Sequence, residues 1–211
     1  MKIKFFADTI CGWCYIGHTR LLKALKGFKN ASFIFEHIPF QLNPNMPKKG
    51  IKRKDYLKYK FGSKEAAEPM YDSMVKEALK ENLKFNLEKI QITPNTNFSH
   101  ILTKLAFSKN IGHEVLGKIF DAYFSKGENI GDKEVLVKIG KSSNIEEKEI
   151  YGVFSSEKEI IEINKSDILA RSMGINGVPF FDINNKTYIS GSQSSANLIE
   201  AIKANLLYLL I

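Results

Sequence analysis

The sequence predicts an α/β fold in which a single sheet is assembled from both ends of the chain around a large all-helical insertion. Three observations predict it. A strand–helix–strand pattern opens the chain, helical periodicity alone runs from about residue 52 to 173, and a strand–strand–helix pattern closes it. Neither end carries enough strands for a sheet of its own, but together they supply four. The expected division is therefore a core in two halves, residues 1–45 and 161–211, interrupted by an insertion over 46–160.

The elements follow in order. Ile3 to Ala7 is an apolar run ending in Asp8-Thr9 and reads as a buried strand. Ile16, Leu21, Leu22, Leu25 and Phe28 give a helical stripe, with Arg20, Lys23 and Lys26 off it. Ser32 to Phe40 is rich in Phe and Ile and reads as a second strand, parallel to the first through a right-handed crossover. Leu42 to Gly50, with Pro44 and Pro47, is a connection. Three apolar stripes follow: Met70, Met74, Val75, Ala78 and Leu79; then Phe98, Ile101, Leu102, Leu105 and Ala106; then Val115 through Phe124. Asp132 reads as the N-cap of a helix through Ile139, and Ser143 or Asn144 as the cap of the next. Gly174 stops a long helix from Ile160 to Met173. Val178 to Ile183 and Thr187 to Ser190 flank the turn dipeptide Asn184-Asn185 and make a hairpin. Ser194 or Ser195 caps a last helix with Leu198, Ile199, Ile202 and Leu206 on one side. The apolar end, Leu206 to Ile211, is expected to pack on the sheet; exposed, it would be a dimer contact, so a monomer and a homodimer both stay open.

Composition excludes several classes. With 211 residues, 44% hydrophobic and 26% charged, the chain can bury an ordinary core and is neither disordered nor a disulfide-stapled scaffold. No apolar run approaches the ~20 residues of a membrane span, so no membrane partner is expected. Two cysteines are too few for the usual structural zinc site, and no metal is expected. The net charge is +8, yet only Arg20, Arg53 and Arg171 among the 31 basic residues are arginines. Readers of phosphate and base edges lean on arginine forks, so no nucleic-acid partner is expected. The basic run Lys48, Lys49, Lys52, Arg53 and Lys54 reads as a solvated loop. Phe5-Phe6-Ala7 is far shorter than a signal-peptide core, and the expected location is cytoplasmic, a reducing compartment where a cysteine pair is more often catalytic or metal-binding than structural.

Cys11-Gly12-Trp13-Cys14 sits between the first strand and the first helix. A CxxC pair at such a junction reads as a redox motif. Free backbone N–H groups and the positive end of the helix dipole face Cys11 and favour its thiolate. Cys14, one turn further in, is expected to be more buried, which suits a resolving thiol. Val178-Pro179 opens the third strand, where a proline is either an ordinary strand-start residue or a cis-proline set beside Cys11. Asn95 or Thr96 is either a helix N-cap or a substrate-facing group. His100, on the same helix, is either a satisfied core residue or part of the site. His18 and His37 read as structural and His113 as a surface residue.

Longer stretches carry a resemblance. They are Asp8-Thr9-Ile10-Cys11-Gly12-Trp13-Cys14-Tyr15-Ile16-Gly17, Pro39-Phe40-Gln41-Leu42-Asn43-Pro44, Pro94-Asn95-Thr96 with His100, Ala122-Tyr123-Phe124 through Asn129-Ile130-Gly131-Asp132, Gly174 to Phe181, and Ser190-Gly191-Ser192-Gln193. On these residues the chain resembles the DsbA-like thioredoxin superfamily, in its FrnE-like branch, along essentially its whole length. The resemblance implies a thioredoxin-like fold and a thiol–disulfide oxidoreductase acting on peptide or protein thiols and disulfides. In that reading Cys11 is the nucleophile, Cys14 the resolving thiol and Pro179 a cis residue stacked on the pair. Gly12, Trp13, Val178, Asn95, Thr96 and His100 are then expected to contact substrate. No cofactor is required, and glutathione is a possible redox partner. The related 2-hydroxychromene-2-carboxylate isomerases and kappa-class glutathione transferases put serine where this chain has Cys11. A glutathione-dependent isomerase or transferase is thus the alternative, with a non-catalytic chaperone-like binder as a third reading. The branch usually carries proline at the position of Gly12, so a strongly oxidising potential is not carried over.

Overall fold

The structure, a computed structural model, describes residues 1–207. β1 (Lys2–Ala7) leads through α1 (Gly12–Leu25) to β2 (Ile34–Pro39), and the two strands pair in parallel from Lys2↔Ile34 to Ala7↔Pro39. Then come β3 (Ile51–Lys52), α2 (Arg53–Phe61), α3 (Lys64–Lys80), β4 (Ile92–Thr93), α4 (Asn97–Ser108), α5 (Gly112–Phe124), α6 (Lys133–Lys141), α7 (Glu147–Phe154) and α8 (Glu157–Ser172). β5 (Phe180–Ile183), β6 (Thr187–Ser190) and α9 (Ser195–Leu207) close the described chain. The four-stranded sheet has the order β2-β1-β5-β6, so the expected sheet drawn from both ends is the one observed. The two-residue pairing of β3 with β4 interrupts the helical segment, and strands that short leave no period to read.

Alternation along β1 decides what covers each face. Ile3, Phe5 and Ala7 join Ile16, Leu21 and Ala24 of α1 and Leu198 and Ile202 of α9 in one cluster that runs on into α3–α8. Phe6 faces the other way, into a smaller cluster with Phe40, Ala170 and Ile175. Lys4 also points that way, and its ammonium reaches Asp182 at 3.1 Å and Asn185 at 2.6 Å. Phe5 pairs with Phe181 across the antiparallel β1–β5 ladder, their rings stacked at 5.1 Å. The hairpin turn is Asn184-Asn185, at φ 60° and 55°, the left-handed pair that matches strand twist in a two-residue turn.

Several local expectations meet their outcome here. Asp132 caps α6 by accepting from the Glu134 N–H. Ser194 Oγ accepts from the Asn197 N–H at the start of α9. Ser143 and Asn144 do not cap α7, whose N-cap is Glu146. Asn144 instead ends the preceding helix in a left-handed conformation, φ 62°, its N–H on the Lys141 carbonyl. On α3 the stripe is narrower than its periodicity implies, because Met74 and Ala78 are buried while Met70 and Leu79 are exposed. Arg20 is a correction of a different kind. It is buried, and its guanidinium donates to Glu81 at 2.7 Å, Glu77 at 2.7 Å and the Ser192 carbonyl at 2.7 Å, which pins α1 to α3 and to the loop before α9. Leu206 packs on the core and Leu207 is exposed, while Tyr208 to Ile211 lie outside the described residues.

Among the histidines one departs from expectation. His113 is not a surface residue: its Nδ1 is 3.0 Å from His18 Nε2, and its ring meets Phe35 and Phe107 edge-on. His37 and His100 form a second pair, Nε2 to Nδ1 at 3.2 Å, stacked with ring centroids 5.4 Å apart. Burial disfavours the charged ring. It lowers His18 to about 3, with His113 adding repulsion, and His113 to about 4. Burial, then His100, pushes His37 well below the usual range. A histidine whose folded pKa is depressed favours the folded state above its unfolded value near 6.5, and that contribution is lost as pH falls. Denaturant midpoints are expected to be flat above pH 7 and to fall steadily from pH 6.5 towards pH 4; His18→Gln with His113→Gln flattens that decline, and an unchanged slope refutes the assignment.

Candidate active site

The end of β1 is turned into α1 by Asp8-Thr9-Ile10. The Asp8 carbonyl accepts from the Cys11 N–H at 3.0 Å. Its carboxylate, wholly buried, accepts from the Leu42 N–H at 2.7 Å and the Ile10 N–H at 3.4 Å, tying this turn to the chain leaving β2. Cys11 is the N-cap of α1, with extended backbone, φ −95° and ψ 110°, and its carbonyl accepts from the N–H groups of Cys14 and Tyr15. The remaining N–H groups of the first turn surround the motif, the arrangement that favours negative charge at a helix start.

Cys11 Sγ donates to the Val178 carbonyl at 3.5 Å. The Val178–Pro179 peptide is cis. Pro179 is buried against α1, its Cγ 3.0 Å from where a Cβ on Gly17 would stand, so the glycine one turn past Cys14 admits the ring. Cys11 keeps 6% of its surface exposed and Cys14 none. Both thiols are free. Burial, and after it the adjacent Cys11, raises the Cys14 thiol well above the usual range. Cys11, Gly12, Trp13, Cys14, Val178 and Pro179 are thus brought together, with Trp13 half-buried on the core cluster.

The opposite wall is aromatic. Tyr15 stacks between Phe85, at 5.7 Å, and Phe120, at 5.0 Å, and burial followed by the Asp121 charge pushes its hydroxyl up to about 12. Met74 and Phe85 fill the space beside Gly12. A Cβ there would lie 2.4 Å from Met74 Sδ and 3.0 Å from Phe85 Cε2. The place a side chain would take at residue 12 is thus filled by the Met74 thioether, which would have to move to admit one. One turn earlier on α3, Tyr71 carries the Arg53 guanidinium over its ring at 5.0 Å, and Tyr56 flanks Arg53 at 5.4 Å. Arg53 is therefore not part of a solvated loop, since it is stacked between two rings and donates to Thr93 at 3.3 Å. A cavity of about 790 Å³ opens there, bounded by Arg53, Lys54, Lys64, Glu68, Tyr71 and Ile90.

The other three expected contacts are placed as follows. His100 is fully buried, between His37 and Asp8, and presents nothing to a groove. Asn95 donates to the Met46 carbonyl at 2.8 Å and accepts from the Asn97 N–H at 2.9 Å, so its amide holds two loops together. Thr96 occupies the N-cap position of α4 without a side-chain cap and is buried. For His100 and Thr96 burial obliges the polar group to serve the fold, whereas Asn95 is half-buried. Sequence reasoning missed Asp8, Met74 and Arg53 around the motif. Asp8 was signalled only by its place at the strand–helix junction; Met74 and Arg53 carried no signal, because one lies in an ordinary apolar stripe and the other in a basic run.

The comparisons agree with this geometry. A family model described as a DSBA-like thioredoxin domain matches residues 2–203. The uncharacterised protein YwbO of Bacillus subtilis is 26% identical over 146 residues, 69% of this chain and 68% of that one. The crystal structure of a probable DsbA oxidoreductase from Streptomyces coelicolor superposes with a TM-score of 0.86 at 25% identity, over 97% of this chain and 89% of that chain. The cytosolic disulfide reductase DsbM from Pseudomonas aeruginosa, solved with GSH, shares the fold at a TM-score of 0.68 and 16% identity, over 100% and 99% of the two chains.

The contact at Gly12 is testable by a double-mutant cycle. Gly12→Ala is expected to be worse by about 1 kcal/mol in the native background than beside Met74→Ala, because only the former crowds the thioether. Additive stabilities in denaturant unfolding would remove the steric explanation.

Proposed function

The chain belongs to the DsbA-like thioredoxin domain family, and from that premise we propose that it is a thiol–disulfide oxidoreductase working through Cys11 and Cys14 on peptide or protein substrates. The observation that carries the reading is the division between the two thiols. Cys11 stands at the helix start with its sulfur at the Val178 carbonyl and retains some exposure, while Cys14 is sealed behind it.

In this reading Cys11 attacks a substrate disulfide, one substrate sulfur leaves as a thiolate, and a mixed disulfide forms. Cys14 then attacks the Cys11 sulfur, the Cys11–substrate bond breaks, and two electrons have passed from the cysteine pair to the substrate. Starting from the oxidised pair, the same steps run in reverse. The backbone edge at Val178 offers a carbonyl beside the reacting sulfur, which suits an extended peptide. DsbM, a cytosolic reductase solved with GSH, supports glutathione as the partner to try first and the cytosol as the compartment. Retention of both cysteines supports this reading over the glutathione-dependent isomerase or transferase.

Cys11→Ser is expected to reduce turnover of a peptide disulfide to background, while Cys14→Ser accumulates a covalent mixed disulfide visible by mass spectrometry. Full activity in Cys11→Ser sinks the mechanism. A glutathione redox titration then gives the direction of use: a potential near about −270 mV marks a reductase, and one between about −120 and −180 mV an oxidase or isomerase.

A further inference from the structure

The chain has three arginines, and two of them are neutralised. Arg20 meets Glu77 and Glu81, each at 2.7 Å, and Arg171 meets Asp167 at 2.9 Å. Arg53 has no carboxylate partner among the described residues. It is half-buried, donates to the buried Thr93 hydroxyl at 3.3 Å, and lies over the rings of Tyr71 and Tyr56, at 5.0 and 5.4 Å. A hydroxyl and two ring faces orient a guanidinium but bring no counter-charge to it. The cavity of about 790 Å³ beside it has the volume of a ligand pocket. Its exposed charges offset one another, Lys52, Lys54 and Lys64 standing against Glu68, Asp72 and Glu88. Water and salt screen those exposed groups, and the half-buried Arg53 is the charge left over.

This cavity borders the cysteine motif. Met74 of α3 packs on Gly12, its Cε 2.9 Å from where a Cβ there would stand, and Tyr71 walls the cavity one turn earlier on the same helix. Phe85 Cε2 lies 3.0 Å from the same point, and Leu87, two residues on, lines the cavity. Tyr71 registers both neighbours: burial raises its hydroxyl, the Arg53 charge opposes the rise, and the Cys11 charge adds to it. One helical turn rises about 5 Å and an extended peptide about 3.3 Å per residue. A peptide joined to Cys11 therefore reaches the cavity about two or three residues from its own cysteine.

We propose that Arg53 is a specificity-determining residue of this site, binding the side-chain carboxylate of an Asp or Glu that lies about two or three residues from the reacting cysteine of a peptide substrate. The proposal rests on the oxidoreductase reading above and names the substrate class for it. The planar fork of a guanidinium matches the two oxygens of a carboxylate, and a fork already held by two rings loses little freedom on binding. The exposed lysines around it add charge without that geometry. Arg53 takes no part in the thiol exchange. The carboxylate keeps its charge throughout, and its contact with Arg53 holds the substrate disulfide at Cys11 for attack.

The test uses the full chain with its cysteines reduced, and end-blocked peptides whose central cysteine is activated as a 2-thiopyridyl disulfide. Attack of the Cys11 thiolate on the peptide sulfur forms the mixed disulfide and releases pyridine-2-thione, whose absorbance gives the second-order rate. Glu is placed at the first to the fourth residue on either side of the cysteine, and each peptide is compared with its Gln counterpart. The expected result is a Glu-over-Gln preference of roughly tenfold at the second or third residue on one side and close to none elsewhere. It is lost in Arg53→Gln and lowered in Arg53→Lys, which keeps the charge but not the fork. The preference is a ratio within one protein, so a general loss of activity or stability in a variant does not move it. The absence of a preference at every position overturns the proposal, as does one that survives undiminished in Arg53→Gln. A preference equal at all positions and abolished by salt also overturns it, since a chain of net charge +8 attracts any acidic peptide in that way. Should Arg53→Gln fail to fold, the positional profile of the native protein and Arg53→Lys decide. Failure of the parent reading looks different and takes the proposal with it: thione release is then absent, or the same in Cys11→Ser, for every peptide.

Discussion

Everything at the site depends on β1 having two hydrogen-bonded edges. One edge pairs in parallel with β2 and the other antiparallel with β5, a strand some 175 residues away along the chain. The second ladder sets Phe6 opposite Phe180, so the residues just before Phe180 must pass the point where β1 gives way to α1. Val178 and Pro179 are those residues, and Cys11 is the first group past Asp8-Thr9-Ile10. Backbone pairing therefore delivers the Val178 carbonyl to the Cys11 sulfur before any side chain makes a choice. A shift of one residue in that register would also turn Phe181 out of the core, so the cluster around Phe5 enforces the same alignment.

Around this junction the fold treats polar groups by a single rule: what is buried is partnered, and what is partnered is no longer available to substrate. Asp8 holds the turn to Leu42, Asn95 holds two loops, and Arg20 fastens α1 to α3 and to the segment before α9. The groups left without partners stand out against that background. His100 Nε2 and His37 Nδ1 are among them, on two rings that meet through their other nitrogens. The same economy explains the packing beside the motif. Met74 and Phe85 occupy the volume above Gly12, and the aromatic stack on Tyr15 closes the remaining side.

How much of this was legible depended on the range of the interaction. The βαβ opening, the Asn184-Asn185 hairpin, the Asp132 cap and the arrest at Gly174 are written in neighbouring residues, through periodicity, left-handed turn positions and side-chain caps. The redox pair was legible for the same reason, since its meaning lies in a spacing of three and a place at a helix start. The β3–β4 pairing, the buried state of Arg20, the stacking of Arg53 and the pairing of His113 with His18 were not. Apart from Arg53 and its ring partners Tyr56 and Tyr71, each joins residues dozens of positions apart, and nothing in the immediate sequence of either partner marks the other.

By itself, then, the sequence determined the local elements, the motif and the assembly of one sheet from both ends of the chain, because each follows from short-range stereochemistry and hydrophobic period. The tertiary structure alone decided which polar residues face the reacting sulfur and which are sealed away. Thr96 and His100 looked like neighbours of the site and are buried, while Asp8 and Met74 looked ordinary and came to stand beside the cysteine motif. The physical reason is that burial, not residue type, decides whether a polar group is free to act, and burial is a property of the packed chain.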